Sequence, residues 1–302
     1  MGGGIACMSA LAGHETVIVD IREDLAANGV NKAIEYANLL AEKGLADVEV
    51  AANVDKLLSG TTDRRSACEN CGLVIEAIIE KVELKQQLFC ELEELVPDNI
   101  PILSNTSGLR ITEISKYMKH PERALTAHFW FPAYLVPLVE IVMHERSEES
   151  YAIYVRDLLK KWNKAPVIVR RDLPGQLANR VLQAMIRETV SIVESGLATA
   201  EDVDTAIKMG PGIRLPVWGI LEHADAVGVN LVHAVQNTTL PDLAKNTEAS
   251  PLLQEMLDKN QLGVKAGEGF YDWNKRSFAD LEALRNDMIV AAVKLIREHE
   301  KA

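Results

Sequence analysis

Cysteine is scarce, four in 302 residues, which excludes a disulfide scaffold. Cys68 and Cys71 form a CxxC, but structural zinc needs two further ligands and no second pair exists, so no metal is expected. The pair reads as the end of a helix. Long apolar runs are also lacking. No stretch approaches the roughly 18 apolar residues that span a bilayer, so no membrane partner is expected. The opening MGGGIACMSALAGHE has no basic stretch and does not read as a secretory signal. Cationic charge is in deficit, with 32 Lys+Arg against 44 Asp+Glu and a formal net charge of -12. That balance disfavours nucleic acid and anionic lipid as main partners. Neither an internal repeat nor a low-complexity linker is visible. The expectation is a soluble protein of a reducing, cytoplasmic compartment.

What is present suffices for two domains with cores of their own: 302 residues, 48% of them hydrophobic. Gly2-Gly3-Gly4-Ile5-Ala6 leads into a small-residue helix ending near Gly13, and Thr16 to Asp20 reads as a short strand closed by an acid. Helix, strand and terminal Asp make the second half of a dinucleotide-binding βαβ unit. The strand and the first two glycines of a GxGxxG fingerprint do not precede that helix. With Gly2 as the third glycine, an upstream in-frame segment reading as an apolar strand plus GxG is expected, and a chain without it should fold and bind cofactor less well. A carboxylate at Asp20 favours NAD over NADP by bonding the ribose hydroxyls and repelling a 2′-phosphate; Arg22 and Arg64 nearby argue the other way. Leu25 to Lys43 reads as an amphipathic helix with Leu25, Val30, Ile34, Leu39 and Leu40 partly on one face. Strand Leu73 to Ala77, helix Val82 to Leu95, strand Ile100 to Leu103, helix Ile111 to Met118 and strand Ala124 to His128 follow. Helix Ser147 to Trp162 and strand Pro166 to Arg170 complete a Rossmann-type parallel-sheet domain, residues 1–172. From Pro174 the pattern turns helical, giving an all-α domain over 173–302. Its long helix Gln176 to Glu194 is followed by one that starts at a cap-like Thr199.

The chemistry concentrates in AHFWFPAYLVPLVE, Ala127 to Glu140. It reads as strand, proline-bearing turn and second strand, so that Glu140 returns to His128. A carboxylate on one ring nitrogen fixes the tautomer and leaves the other to take a proton near neutral pH. Ser104-Asn105-Thr106-Ser107-Gly108 lies at the carboxyl end of a strand, the edge where ligands bind in open α/β sheets. Pro174-Gly175-Gln176-Leu177-Ala178-Asn179-Arg180 opens the long helix. Base, carboxylate, hydroxyl (Ser107) and amide (Asn179) together suit proton removal from a substrate hydroxyl.

SNTSG, HFxxP with PLVE, and PGxxxNR at these intervals resemble the L-3-hydroxyacyl-CoA dehydrogenase family, over Met1 to about Trp273. The resemblance implies His128 as general base, Glu140 as its partner, and Ser107 and Asn179 as holders of the substrate's oxygen atoms. It also implies NAD contacts at Gly2, Asp20, Glu80, Lys85 and Ser107, a coenzyme A contact at Lys43, and a homodimer formed through the helical domain. Tyr36 stands where the family has a serine, and Phe131 where it commonly has an asparagine that contacts the cofactor. The implied substrate is a 3-hydroxyacyl-CoA such as 3-hydroxybutyryl-CoA. Gly210-Pro211-Gly212-Ile213-Arg214-Leu215-Pro216 departs from the acyl-CoA pattern, and Arg214 is similar instead to relatives acting on small free hydroxy acids, among them gulonate and carnitine dehydrogenases and an enzyme of a hydroxymethyl pyridine carboxylate. There a guanidinium would fork onto a carboxylate. Trp130 and Trp218 are candidates for narrowing the pocket. A third alternative keeps the fold without chemistry, as an inactive or truncated relative.

Overall fold

β-branched and aliphatic runs form the strands of a computed structural model that describes residues 1–300 and separates into two units, Met1–Arg180 and Val181–Ala302. The first unit carries β1 (Thr16–Val19), β2 (Leu58–Thr61), β3 (Val74–Glu76), β4 (Ile102–Ser104), β5 (Ala124–Phe129), β6 (Leu138–Val142) and β7 (Ala165–Val169). Its helices are α1 (Gly2–Leu11), α2 (Glu23–Glu42), α3 (Val48–Ala51), α4 (Arg64–Cys68), α5 (Val82–Leu95), α6 (Ile111–Ile114) and α7 (Glu149–Lys161). β1 and β2 pair in parallel as a sheet of their own. The second sheet runs β3-β4-β5-β6-β7. Within it β3, β4 and β5 are mutually parallel, β6 is antiparallel to β5, and β7 is parallel to β6.

β4 and β5 are buried at every position, as strands covered on both faces must be. Phe89, Leu92 and Val96 of the α5 side close against Ile102, Ile111, Ile114, Met118 and Ala124. The helix expected over Ile111 to Met118 stops at Ile114. Ser115 Oγ turns back onto the Ile111 carbonyl at 2.8 Å, and the Glu93 carboxylate accepts the amides of Lys119 and His120 at 2.9 and 2.6 Å. Side-chain bonds of this kind compete with the helical ladder. Buried Arg123 donates to the carbonyls of Glu93 and Pro97 at 2.8 and 2.6 Å, satisfying acceptors at the end of α5.

The buried stripe of α2 is Ala26, Ala33, Ala37 and Leu40; of the larger aliphatics expected only Leu40 is fully buried, while Leu25, Val30, Ile34 and Leu39 are half-buried. Close approach explains the choice. A side chain added at Gly3 of α1 would lie 3.0 Å from the Gly29 carbonyl, and one at Gly60 of β2 3.1 Å from Ala26. β2 itself, LSGT, is short and polar and carries no strand pattern legible in sequence.

The second unit continues α8 (Ala178–Glu194), whose first residues lie in the first unit, with α9 (Ala200–Ile207), α10 (Ile220–Val227), α11 (Val229–Thr239), α12 (Pro251–Asp258) and α13 (Phe278–Glu300). Thr199 caps α9 by accepting from the Asp202 amide at 3.2 Å. A π-helical turn, Lys208–Gly212, precedes Arg214. α10, α11 and α12 bury none of their residues, and Leu197, Val217 and Leu221 are exposed. No helix of the described residues is long and apolar enough to cross a membrane.

Candidate active site

The antiparallel register of β5 and β6 sets His128 directly opposite Glu140. Opposed residues point to the same face with Cβ atoms about 5 Å apart. His128 Nδ1 lies 2.8 Å from Glu140 Oε2. The Glu140 side chain is wholly buried, and its two oxygens accept four bonds. Oε2 takes His128 and the Trp130 indole N–H at 3.0 Å. Oε1 takes the amides of Leu177 and Ala178, at 2.9 and 2.8 Å, where α8 begins. Burial alone would raise the Glu140 carboxyl, but the bonds from His128, Trp130 and the two amides outweigh it and hold it down at about 2. Glu140 is therefore an anion near neutral pH and accepts from Nδ1–H, which leaves Nε2 as the basic nitrogen of the ring.

Ser107 is exposed just past the carboxyl end of β4, the strand beside β5. Its loop is pinned from three sides. Asn105 Oδ1 accepts the Phe129 amide at 2.9 Å. Glu80 accepts from Thr106 Oγ1 and from the Gly108 amide. Gln176 Nε2 donates to the Thr106 carbonyl at 3.1 Å. Gln176 has φ 52° and follows Gly175 at φ 79°, a left-handed pair that turns the chain into α8. Asn179 is half-buried in the first turn of α8, next to the Ala178 amide that Glu140 holds. The fold thus gathers His128, Glu140, Ser107 and Asn179 at one edge, from three motifs far apart in sequence.

Lys85 is 1% exposed. Its ammonium donates to Glu76 at 2.5 Å and lies 3.3 Å from Glu80, while Glu76 also accepts Ser104 Oγ at 2.6 Å. Lys85 therefore faces inward, and Glu80 is the more exposed of its two carboxylate partners. Burial pushes the Glu80 carboxyl up, but bonds from Thr106, Lys85 and Gly108 bring it below its ordinary value.

The residues fit NAD. Asp20 is exposed past the carboxyl end of β1, with Oδ1 accepting the Ile21 amide at 2.7 Å. Gly2 opens α1, whose N-terminus no side chain caps, and such a terminus receives phosphate oxygens. Arg22 is paired with Asp24 at 2.7 Å and Arg64 with Glu91, so both cations have acidic partners of their own. Lys43 is exposed at the C-cap of α2. Tyr36 stacks on Tyr134 with ring centres 4.1 Å apart. Phe131, 68% exposed, precedes a cis peptide to Pro132. Arg214 lies in the second unit with its guanidinium 5.8 Å from the centre of the Trp218 ring. Cys68 ends α4 with its thiol free.

Sequence reasoning missed Trp130 as a partner of Glu140, the Leu177 and Ala178 amides, and the roles of Asn105 and Gln176. One signal was available for Trp130: it stands two residues from His128, the spacing that shares a strand face. No sequence pattern marks which backbone amides a buried carboxylate will take.

Residues 1–173 match the family model "3-hydroxyacyl-CoA dehydrogenase, NAD binding domain", and residues 175–273 match its C-terminal domain. The chain is 33% identical to human mitochondrial hydroxyacyl-coenzyme A dehydrogenase over 280 residues, 90% of this chain and 88% of that one. It is 27% identical over 300 residues to 5-formyl-3-hydroxy-2-methylpyridine 4-carboxylate 5-dehydrogenase of Mesorhizobium japonicum, 99% of this chain and 96% of that one. A crystal structure of a dehydrogenase of that pyridine carboxylate superposes with TM-score 0.88, 27% identity, and 98% and 95% of the two chains covered. (S)-3-hydroxybutyryl-CoA dehydrogenase from Ralstonia eutropha superposes with TM-score 0.75, 28% identity, and 91% and 96% covered. Family models that together span most of the chain, and a one-third identity over nine-tenths of it, place this protein in the 3-hydroxyacyl-CoA dehydrogenase family of NAD-dependent dehydrogenases.

Proposed function

We propose that the protein oxidises a 3-hydroxyacyl-CoA, such as 3-hydroxybutyryl-CoA, to the 3-oxoacyl-CoA. The observation that carries this reading is the His128–Glu140 bond, which leaves Nε2 as the basic nitrogen at the carboxyl edge of the sheet. Nε2 takes the proton of the substrate hydroxyl. Ser107 and Asn179 hold the substrate's oxygen atoms, and Ser107 would also contact bound NAD. NAD held there would supply the hydride acceptor for the carbinol carbon. Glu140 bears the imidazolium charge as it forms, and Glu80 and Lys85 stiffen the Ser107 loop. The coenzyme A reading draws on the 33% identity to the mitochondrial enzyme and places Lys43 at the coenzyme A end.

A second reading, a small free hydroxy acid whose carboxylate Arg214 binds, draws on the near full-length likeness to the pyridine carboxylate dehydrogenase. NADH formation, followed by absorbance with 3-hydroxybutyryl-CoA beside a panel of free hydroxy acids, separates the two. Turnover of the ester supports the first reading, and turnover of free acids alone replaces it with the second. Silence on every substrate would favour a fold kept without chemistry.

Asp20 selects the cofactor in this reading. Asp20→Ser should lower kcat/KM for NAD by about tenfold and raise that for NADP, since the carboxylate both binds the ribose and repels a 2′-phosphate. Steady-state rates with each cofactor check it; an unchanged ratio would remove Asp20 from that role. The proposed assembly is a homodimer through the helical unit, supported by the apolar residues that α10, α11 and the loops around them leave exposed. The proposed compartment is the cytoplasm, supported by four free cysteines.

A further inference from the structure

We propose that Trp130 is a positioning residue: by sharing Glu140 Oε2 with His128, its indole N–H weakens the carboxylate's hold on the imidazolium and extends to lower pH the range in which the ring can accept a proton. The inference rests on His128 being the base.

Of the two Glu140 oxygens, only Oε2 is left to the indole. Oε1 is taken by the Leu177 and Ala178 amides at 2.9 and 2.8 Å. Both ring donors therefore converge on Oε2, at 2.8 and 3.0 Å, with ring centres 5.7 Å apart and planes inclined at 46°. The carboxylate has no exposure to water that could redistribute those bonds. In such a site each donor polarises the charge the other uses. β6 brings Glu140 to the pair, the start of α8 brings two amide dipoles, and the loop after β4 brings the neutral Asn105. Among the described residues no other charged side chain bonds to either ring. Because the carboxylate steadies the protonated ring, removing a competing donor strengthens that effect. Proton affinity of the ring then rises, and the acid limb of kcat/KM moves to higher pH.

The experiment replaces Trp130 by phenylalanine, and separately by β-(3-benzothienyl)alanine, which keeps a bicyclic ring of nearly the same shape and loses the N–H. The His128 imidazole is titrated by NMR in the full chain without substrate, beside the pH profile of NADH formation. The expected result is a proton affinity higher by about three- to tenfold, a shift of roughly half to one pH unit, in the benzothienyl chain and in Trp130→Phe. Trp130→Gln, which restores an N–H donor without the ring, should move the titration back. An unchanged or downward midpoint in the benzothienyl chain overturns the proposal even if Trp130→Phe fails to fold. His128→Gln in the same series keeps the two failures apart: full activity there would sink the base assignment, whatever the tryptophan titration shows.

Discussion

His128→Ala should lower kcat for NADH formation by about 10²–10⁴-fold, the contribution of a positioned general base. Two features concentrate the effect on kcat. Nδ1 is committed to Glu140 at 2.8 Å, so the ring is held in one tautomer before substrate arrives. The side chain is almost wholly buried at a strand end, where solvent is a poor substitute for the lost base. KM should change much less, because in the proposed reading Ser107 and Asn179 remain to hold the substrate's oxygens. Alanine also strips one donor from a buried carboxylate, so part of any loss could come from stability. His128→Gln retains an N–H that can reach Glu140 and removes only the basic nitrogen. Both variants should therefore lose rate while only alanine lowers the melting temperature. Steady-state kinetics and thermal melts of the pair test this; a His128→Gln rate within about threefold of the parent would end the assignment.

The second large effect is expected at Glu140. Glutamine there is nearly isosteric, but one end of its amide must be NH2. Facing Oε1's partners, that group meets the Leu177 and Ala178 amides; facing Oε2's, it meets His128 and Trp130. His128 can turn Nδ1 into an acceptor by moving its proton to Nε2, so the second orientation leaves one donor, the Trp130 indole, facing a donor. Each unsatisfied buried group costs about 1–3 kcal/mol, so Glu140→Gln should lose about 1–3 kcal/mol of stability. The same change removes the anion that fixes the tautomer of His128, and kcat should fall by about 10²–10⁴-fold. The acid behaviour follows with its sign. The Glu140 carboxyl is depressed in the folded chain to about 2 from an ordinary 4.5. Its stabilisation is therefore complete above pH 4.5 and is lost as pH falls toward 2. Denaturant unfolding between pH 6 and pH 3 should show a steeper acid loss in the parent than in Glu140→Gln. Parallel curves would mean that the carboxylate contributes nothing to acid stability.

Much of this molecule is legible in its residues, and the exceptions have physical reasons. Val82–Leu95 emerges with the bounds read from the sequence. The strand–turn–strand around His128 is also legible, because two mostly apolar runs flank a turn that carries Pro132 and Pro137. α2 is legible as a helix but not in its buried face: hydrophobicity favours leucine, whereas packing α1 at glycine distance favours alanine. β2 hides because Gly60 serves a backbone approach and no side-chain pattern. At the site the residue types are readable, while the partners of Glu140 depend on where two distant amides fall. Lys85 is readable as a cation; that it points inward to Glu76 follows only from the fold.

The division of the strands into a pair and a set of five has an energetic consequence. Two parallel strands are a marginal unit, held here through α1 and α2 on a seam of glycine and alanine. β4 and β5 are enclosed on both faces. Local opening should therefore cost less free energy at β1–β2 than at β4–β5. Asp20 hangs from the looser pair and the His128 ring from the tighter set. A ligand gripping Asp20 then acts as a clamp on the pair, tightening it by mass action in proportion to the logarithm of its concentration. Warming would release such a ligand by melting one corner of the molecule, well before His128 and Glu140 part.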